Sequence, residues 1–287
     1  MKRTALRMKT RSTVLGPLVL STLRQERKSF HAAPYDSERN HALFASYNVH
    51  KCVGMDGQFD PDRILAVIEE LGADVVALQE ADMRFGDRAG LLDLQALRRR
   101  SGLVPVPLAG TRKAHGWHGN VVLFREGVVT GARQLSLPGV EPRGAVVVDL
   151  SMPTGPLRII AAHLGLLRRC RARQVATILS AAKADDRRPV LLMGDLNEWR
   201  LGKRSSLQAL EPTFGPLQAT VASFPSRFPV WSLDRILANP HSLVSRIEVH
   251  DTPLARIASD HLPIKALIRF SDSADLVPQV DELAPAA

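Results

Sequence analysis

From His41 onward the chain alternates short runs of branched apolar residues with stretches of helical periodicity, and few folds accept that pattern. Asp74 to Gln79 (DVVALQ) is almost continuously apolar, as a strand buried on both faces must be. Leu43 to Val49, Asn120 to Phe124, Gly144 to Leu150, Leu157 to His163, Val190 to Met193, Asp234 to Ala238 and Pro263 to Phe270 read as further strands. Asp60 before Pro61 is a good N-cap. Ile64, Leu65, Val67, Ile68 and Leu71 form the apolar face of the helix it starts, which Gly72 stops. Helices are also predicted over Asp93 to Arg100 and Leu166 to Ala184, a turn at Met55-Asp56-Gly57, and a hairpin through Pro153 to Pro156. Hairpins among the alternating elements favour a mixed-sheet α/β sandwich over an all-parallel barrel. No repeat or linker divides residues 41–270.

At 287 residues the chain can bury a full core without a metal or disulfide to hold it, so a metal here would serve chemistry. Its net charge of +9 suggests nucleic acid until it is located along the chain. Residues 1–30 contribute +7 of it and the stretch from Asp272 onward −4, which leaves a diffuse +6 on the body. Residues 1–40 read as a basic, disordered extension, with an uncleaved anchor at a membrane surface as the alternative, and residues 271–287 as an acidic disordered tail. The apolar stretch Thr13 to Leu23 contains Gly16-Pro17, is followed by no small-residue cleavage site, and is too short to span a bilayer. Cys52 and Cys170 make no disulfide framework or zinc spacing, so a reducing, cytoplasmic location is the simpler reading.

Several of the strand-like runs end in an acid, an amide or a histidine. Asn48 closes the first, Glu80 closes DVVALQE, His163 closes LRIIAAH, and Asp195 with Asn197 closes PVLLMGDLN. Asp234 opens DRILA, and Asp260-His261 precedes the last strand. Each alone has a structural explanation: a turn-forming Asn, a solvated Glu at a strand end, a satisfied core His. Together they place polar groups where α/β enzymes keep their chemistry. Asp195 and Asn197, two apart on extended backbone, face the same way, and Asp260 beside His261 offers a carboxylate next to an imidazole.

In order along the chain, SYNVH, LQE, His118-Gly119-Asn120, AHLG, GDLN, LDRI and Ser259-Asp260-His261 resemble the successive motifs of the endonuclease/exonuclease/phosphatase (DNase I-like) superfamily, from about Ser46 to Phe270. The resemblance implies a four-layer α/β sandwich, two mixed β-sheets packed face to face and flanked by helices, carrying one catalytic domain over residues 41–270. It implies metal-dependent hydrolysis of a phosphoester with Mg²⁺ or Mn²⁺, for which an oxygen-only donor set is suited. By the same resemblance Glu80 would be the principal metal ligand, with Asn48 and Asp260 assisting. Asp195 and Asn197 would flank the attacked phosphorus, and His261 would pair with Asp234, with either Asp195 or His261 taking the water's proton. Asn120 would sit at the substrate phosphate, positioning active-site groups.

Histidine at position 163 is the choice of the DNase I-like, sphingomyelinase and inositol-polyphosphate branches, whereas abasic-site nucleases carry tyrosine there. The resemblance therefore gives His163 a phosphate-contacting role and argues against a dedicated abasic-site nuclease. Arg143 reads as a phosphate clamp, because a planar guanidinium suits bidentate contacts. Substrates consistent with this reading are a small phosphodiester or monoester, a nucleic acid, or a phospholipid headgroup reached through peripheral membrane contact of the basic N-terminus. The alternative of another class is a binding protein that kept the fold and lost catalysis. No obligate protein partner is evident. Trp117 and His118 are candidates for a site wall, and Ser223 to Pro229 for a substrate-facing loop or a packing plug.

Overall fold

A computed structural model describes residues 40–270 apart from 85, 110–112, 184–187, 201 and 218–220, so the expectations for the N-terminal extension and the acidic tail lie outside the described residues. The strands are β1 (His41–Asn48), β2 (Val75–Gln79), β3 (Val104–Pro105), β4 (Val121–Phe124), β5 (Val128–Leu137), β6 (Arg143–Met152), β7 (Gly155–His163), β8 (Val190–Asp195), β9 (Asp234–Asn239), β10 (Val244–Val249) and β11 (Ile264–Arg269). They form a six-stranded sheet in the order β10-β11-β1-β2-β4-β3 and a five-stranded sheet in the order β5-β6-β7-β8-β9. Each sheet is mixed, with one parallel pair, β1 with β2 and β7 with β8, among antiparallel neighbours. The α/β sandwich predicted from the alternation is therefore the fold.

The two sheets meet through one continuous core. Phe44, Ala77 and Val122 from the first interleave with Val148, Ile159, Met193 and Ile236 from the second. The larger of these side chains each contribute about 1.5–3 kcal/mol by leaving water. Helix α1 (Pro61–Leu71) starts where Asp60 accepts a hydrogen bond from the Arg63 amide at 3.0 Å, and it ends at Gly72 in a left-handed conformation with φ 60°. Helix α2 (Leu94–Ser101) is capped by Asp93. The longest helix, α3 (Arg168–Ala182), lays Val175 and Ile178 against Val147, Ile160 and Leu192 on the outer face of the second sheet. Its predicted start at Leu166 is two residues early, because Leu166 and Leu167 stand exposed before the first turn. Both cysteines are free.

The strand prediction missed β3, β5 and β10. All three are edge strands, and an edge strand half open to water has little apolar signature. β5 alternates exposed and half-buried positions along its length and is broken by a register shift before Gly131. The strands nearest the site were found because both their faces are buried.

Gly194 marks the closest approach of β8 to β7. A Cβ there would stand 1.8 Å from the carbonyl oxygen of Ala162, at a φ of +145° that side chains avoid. Gly194→Ala is expected to lose about 3 kcal/mol from backbone strain and displacement of β7, which lowers Tm by about 6–12 °C in a domain of this size. Thermal unfolding followed by circular dichroism checks this; an unchanged Tm would contradict the close approach.

Candidate active site

The two sheets present their polar strand ends to one another. Across the second sheet, His163, Asp195 and Asp234 stand in register on three neighbouring strands, a single row of a histidine and two carboxylates. Across the first, Asn48 pairs with Gln79, so Glu80, one residue on, leaves the sheet beside it. Asn48 joins the two rows, its Nδ2 donating to Asp195 Oδ2 at 3.1 Å.

Asp195 is the hub of this arrangement and is only 1% exposed. Its Oδ1 accepts from the Asn197 backbone amide at 2.9 Å, while Oδ2 lies 3.4 Å from His163 Nε2 and 3.8 Å from His261 Nε2. His261 is fixed from its other side, with Nδ1 2.9 Å from Asp234 Oδ2, an oxygen to which Ser223 Oγ also donates. Phe224 packs against the imidazole, ring centres 4.7 Å apart. The two histidines are thereby driven apart. Burial disfavours a charge on His261, but the carboxylates of Asp234 and Asp195 outweigh it and raise the ring to about 10. Burial pushes His163 down to about 4, with Arg143 adding to the shift and Asp195 opposing it. In keeping with a neutral ring, Arg143 Nη1 lies 2.7 Å from His163 Nε2, and a guanidinium can only donate.

Glu80 lies on the same cleft wall as Lys51, His118, Arg143 and His163. Lys51 Nζ is 2.5 Å from its Oε2. Burial opposes ionisation of Glu80, yet His163, protonated in that acidic range, with Lys51 and Arg143 holds its carboxyl down at about 2. Asp260 is a quarter exposed, with Oδ1 3.8 Å from His50 Nδ1. The Ser259 hydroxyl ties this loop to β1 by donating to the Asn48 carbonyl at 2.7 Å.

Among the described residues no group of three or more His, Cys, Asp and Glu side chains is assembled as a metal cage. Two carboxylates, Glu80 and Asp260, and the amide oxygen of Asn48, which also accepts from the His50 amide at 3.0 Å, are the donors at hand. That set fits a hard divalent cation, which keeps several waters and takes one or two carboxylates. The ammonium of Lys51 against Glu80 marks the place where positive charge is favoured.

Three residues make contacts other than those predicted. Asn120 is fully buried and turned away from the cleft: its Nδ2 donates to the carbonyls of Gly144 at 2.9 Å and Trp117 at 3.1 Å. With its amide hydrogens committed, Asn120 braces the turn that carries His118 against β6 and has no donor left for a phosphate. The fork of Arg143 is occupied by Glu141, whose Oε2 accepts from Nη2 at 2.8 Å and Nε at 3.2 Å, so only Nη1 faces His163. Asn197 is close to Asp195, but its Nδ2 donates to the Leu164 carbonyl at 2.9 Å. The segment Ser223 to Pro229 divides: Ser223 and Phe224 support the Asp234–His261 pair, and Phe228 is 60% exposed.

Lys51 and Glu141 carry no strand-end signal and were not foreseen. Lys51 reaches Glu80 because His50, Lys51 and Cys52 are successively left-handed, with φ of 45°, 55° and 59°. Glu80, Arg88, His118 and Asn197 are also non-glycine residues at positive φ. Each costs about 1–3 kcal/mol, and such residues persist where the surroundings over-determine them. The loops that hold this cleft are therefore rigidly set.

A buried carboxylate shared between two histidines of opposite charge preference stands on the joined ends of two mixed sheets. Residues 45–261 match the Endonuclease/Exonuclease/phosphatase family, and the chain belongs to it. The family consists of hydrolases acting on phosphoester bonds. The protein YbhP of Escherichia coli (strain K12) is 33% identical over 165 residues, which cover 54% of this chain and 64% of that protein, so the match spans less than two thirds of that relative. Among solved structures, the endonuclease/exonuclease/phosphatase of Beutenbergia cavernae DSM 12333 has a TM-score of 0.61 at 24% identity, over 81% of this chain and 72% of that one. The mannosyl-6-phosphatase of Bacteroides thetaiotaomicron VPI-5482 superposes with a TM-score of 0.58 at 16% identity, over 79% of this chain and 99% of that one. Among the described residues no helix is long and apolar enough to cross a membrane.

Proposed function

We propose that the protein is a divalent-metal-dependent phosphoesterase that hydrolyses a phosphodiester by attack of water on phosphorus. The observation that carries this reading is Asp195, a carboxylate almost out of contact with solvent whose lone pairs are directed by Asn48 and Asn197 and which stands between His163 and His261. Mg²⁺ or Mn²⁺ held by Glu80, Asp260 and the amide oxygen of Asn48 would polarise the phosphoryl oxygen and offset charge on the leaving group.

The residues of the chain carry the rest. Asp195 orients the attacking water and takes its proton as the new bond to phosphorus forms. The bond from phosphorus to the leaving alkoxide breaks, that oxygen takes a proton from solvent water at the cleft mouth to leave as an alcohol, and Asp195 returns the proton it holds to solvent. His261, kept in place by Asp234, sets a positive edge beside Asp195. His163 and Arg143 Nη1 face the phosphoryl oxygens. Similarity to a mannosyl-6-phosphatase supports a phosphomonoester as the second reading.

Hydrolysis of bis-(p-nitrophenyl) phosphate and p-nitrophenyl phosphate tests both. Turnover is expected with Mg²⁺ or Mn²⁺, to vanish in EDTA and return with excess metal, and His261→Ala is expected to lower kcat by about 10²–10⁴. The favoured ester separates diesterase from monoesterase. Turnover that survives EDTA would remove the metal from the reading. Failure to cleave either ester, plasmid DNA or phospholipid would remove hydrolysis.

A further inference from the structure

Ten of the eleven large apolar side chains exposed among the described residues lie at one end of the molecule, on loops that leave the catalytic strand ends or lead into them. The exception, Val128, pairs with Ser151 at the far end of β5, away from Arg143. Chance placement over a surface would not favour the catalytic end, and an exposed apolar cluster of this kind marks an interaction face.

The loops are tied to one another by hydrogen bonds from arginine side chains to backbone carbonyls. On the side of Asp260, Arg256 Nη1 donates to the Arg227 carbonyl at 2.7 Å and Arg227 Nη2 to the Met55 carbonyl at 3.1 Å, which sets Ile257 and Phe228 on adjoining loops. On the side of His163, buried Arg171 donates to the Leu166 carbonyl at 2.6 Å and lies 5.7 Å from the ring of Trp199, so Leu166 and Trp199 flank one support. The Leu166 amide in turn donates to Glu141, next to Val140. The aliphatic and aromatic groups thus form at least two supported clusters, one on each side of the cleft, together a collar.

Exposed arginines are interspersed with the collar: Phe228 follows Arg227, and Leu166-Leu167 precedes Arg168-Arg169. Arg256 and Arg200, beside Ile257 and Trp199, are paired with Asp251 and Glu198. Apolar groups that gain only by leaving water, interspersed with arginines and two half-exposed tryptophans (Trp199 at 47% and Trp231 at 49%), match the layered chemistry of a bilayer surface: acyl chains below, anionic headgroups at the level of the guanidinium groups. Single-stranded nucleic acid fits less well, since Leu166, Leu167, Val140, Val230 and Ile257 have no π-face on which a base could stack.

We propose that this collar seats the protein on an anionic membrane surface with the cleft facing the lipid, and that its substrate is a phosphoester carried by a lipid headgroup. The substrate part rests on the hydrolase reading above; the docking part does not. It is also separate from any contribution of the basic residues 1–39.

The test is quenching of intrinsic tryptophan emission by vesicles of phosphatidylcholine and phosphatidylglycerol with brominated acyl chains, on the full chain in EDTA so that no turnover occurs. All three tryptophans, Trp117, Trp199 and Trp231, lie outside residues 1–39, so the emission reports on the body. Strong quenching is expected. Phe228→Ser with Leu166→Ser, confirmed as folded by circular dichroism, should bind the vesicles at least tenfold more weakly, since two buried apolar side chains are lost and about 1.4 kcal/mol is tenfold. Absence of quenching, or equal quenching of the folded double variant, would overturn the docking. So would displacement of the protein from vesicles by plasmid DNA with a steep salt dependence, which would assign the collar to nucleic acid. Phosphorus release from the vesicles on adding Mg²⁺ or Mn²⁺ is the second arm. Docking without cleavage of vesicle lipid, while bis-(p-nitrophenyl) phosphate is turned over, overturns the substrate class alone. Docking with no ester cleaved at all overturns the hydrolase reading and leaves the membrane face standing.

Discussion

Asp195→Asn is expected to leave the fold in place and to lower turnover of any phosphoester by about 10³-fold or more. The substitution keeps the shape, and the amide oxygen can still accept from Asn48 Nδ2 or from the Asn197 amide, the two contacts that fix the side chain. What disappears is the negative charge between His163 and His261 and the lone pair that would take a proton from water. General-base contributions are about 10²–10⁴, and the group here also organises four neighbours, so the upper part of that range applies. Single-turnover and steady-state rates on bis-(p-nitrophenyl) phosphate, with Tm measured alongside, are the check. A folded variant that keeps a tenth of the activity would show that Asp195 does not act on the proton.

The second large effect is on stability and lies one layer beneath the site. Glu198 is fully buried, and its Oε2 accepts from the Ser206 hydroxyl at 2.6 Å, the Ser206 amide at 2.8 Å and Arg171 Nη2 at 3.2 Å. Arg171 is itself fully buried. Glu198→Gln removes one charge of a buried pair and strands the other, which costs about 3–5 kcal/mol, a fall in Tm of about 6–20 °C in a domain of this size. The effect has a pH signature. Burial opposes ionisation of Glu198, but the hydroxyl and amide of Ser206, the Arg200 amide and Arg171 carry its carboxyl from 4.5 down to about 2. A depressed carboxylate stabilises the folded state fully above its unfolded value and loses that stabilisation as pH falls toward its folded value. The difference in Tm between wild type and Glu198→Gln should therefore be full at pH 7 and shrink between about pH 4.5 and 2. A difference that stayed constant with pH would show that packing, and not the charge, accounts for the loss.

Much of the site was legible in the sequence because burial and chemistry leave separate marks on a strand. A run such as PVLLMGDLN reports by its apolar stretch that the strand is central and by its last residues where the cleft must be. What the sequence does not carry is which polar groups answer one another through space. Asn48 and Asp195 are 147 residues apart, and nothing local to either announces the bond between them. Arg143 has the right side chain for a clamp, but Glu141, two residues earlier, takes most of its fork. Asn120 stands in a family motif, yet its amide is spent on backbone carbonyls. Lys51 was invisible because its reach to Glu80 comes from three left-handed residues in succession, a backbone choice without a composition signal. The missed edge strands follow the same logic: without a buried face there is little periodicity to read.

The bond from Asn48 to Asp195 crosses the seam between the two sheets, so neither sheet owns the site. The distance across that seam is set by the interdigitated side chains below it, Phe44 and Ala77 against Met193 and Ile236. The hydrocarbon interior thus acts as a spacer gauge for the polar groups above it. Adding or removing a methylene there changes the separation of the two halves of the cleft before it threatens the fold, and variants of the interlayer should reveal themselves as slow enzymes well before they reveal themselves as unstable ones.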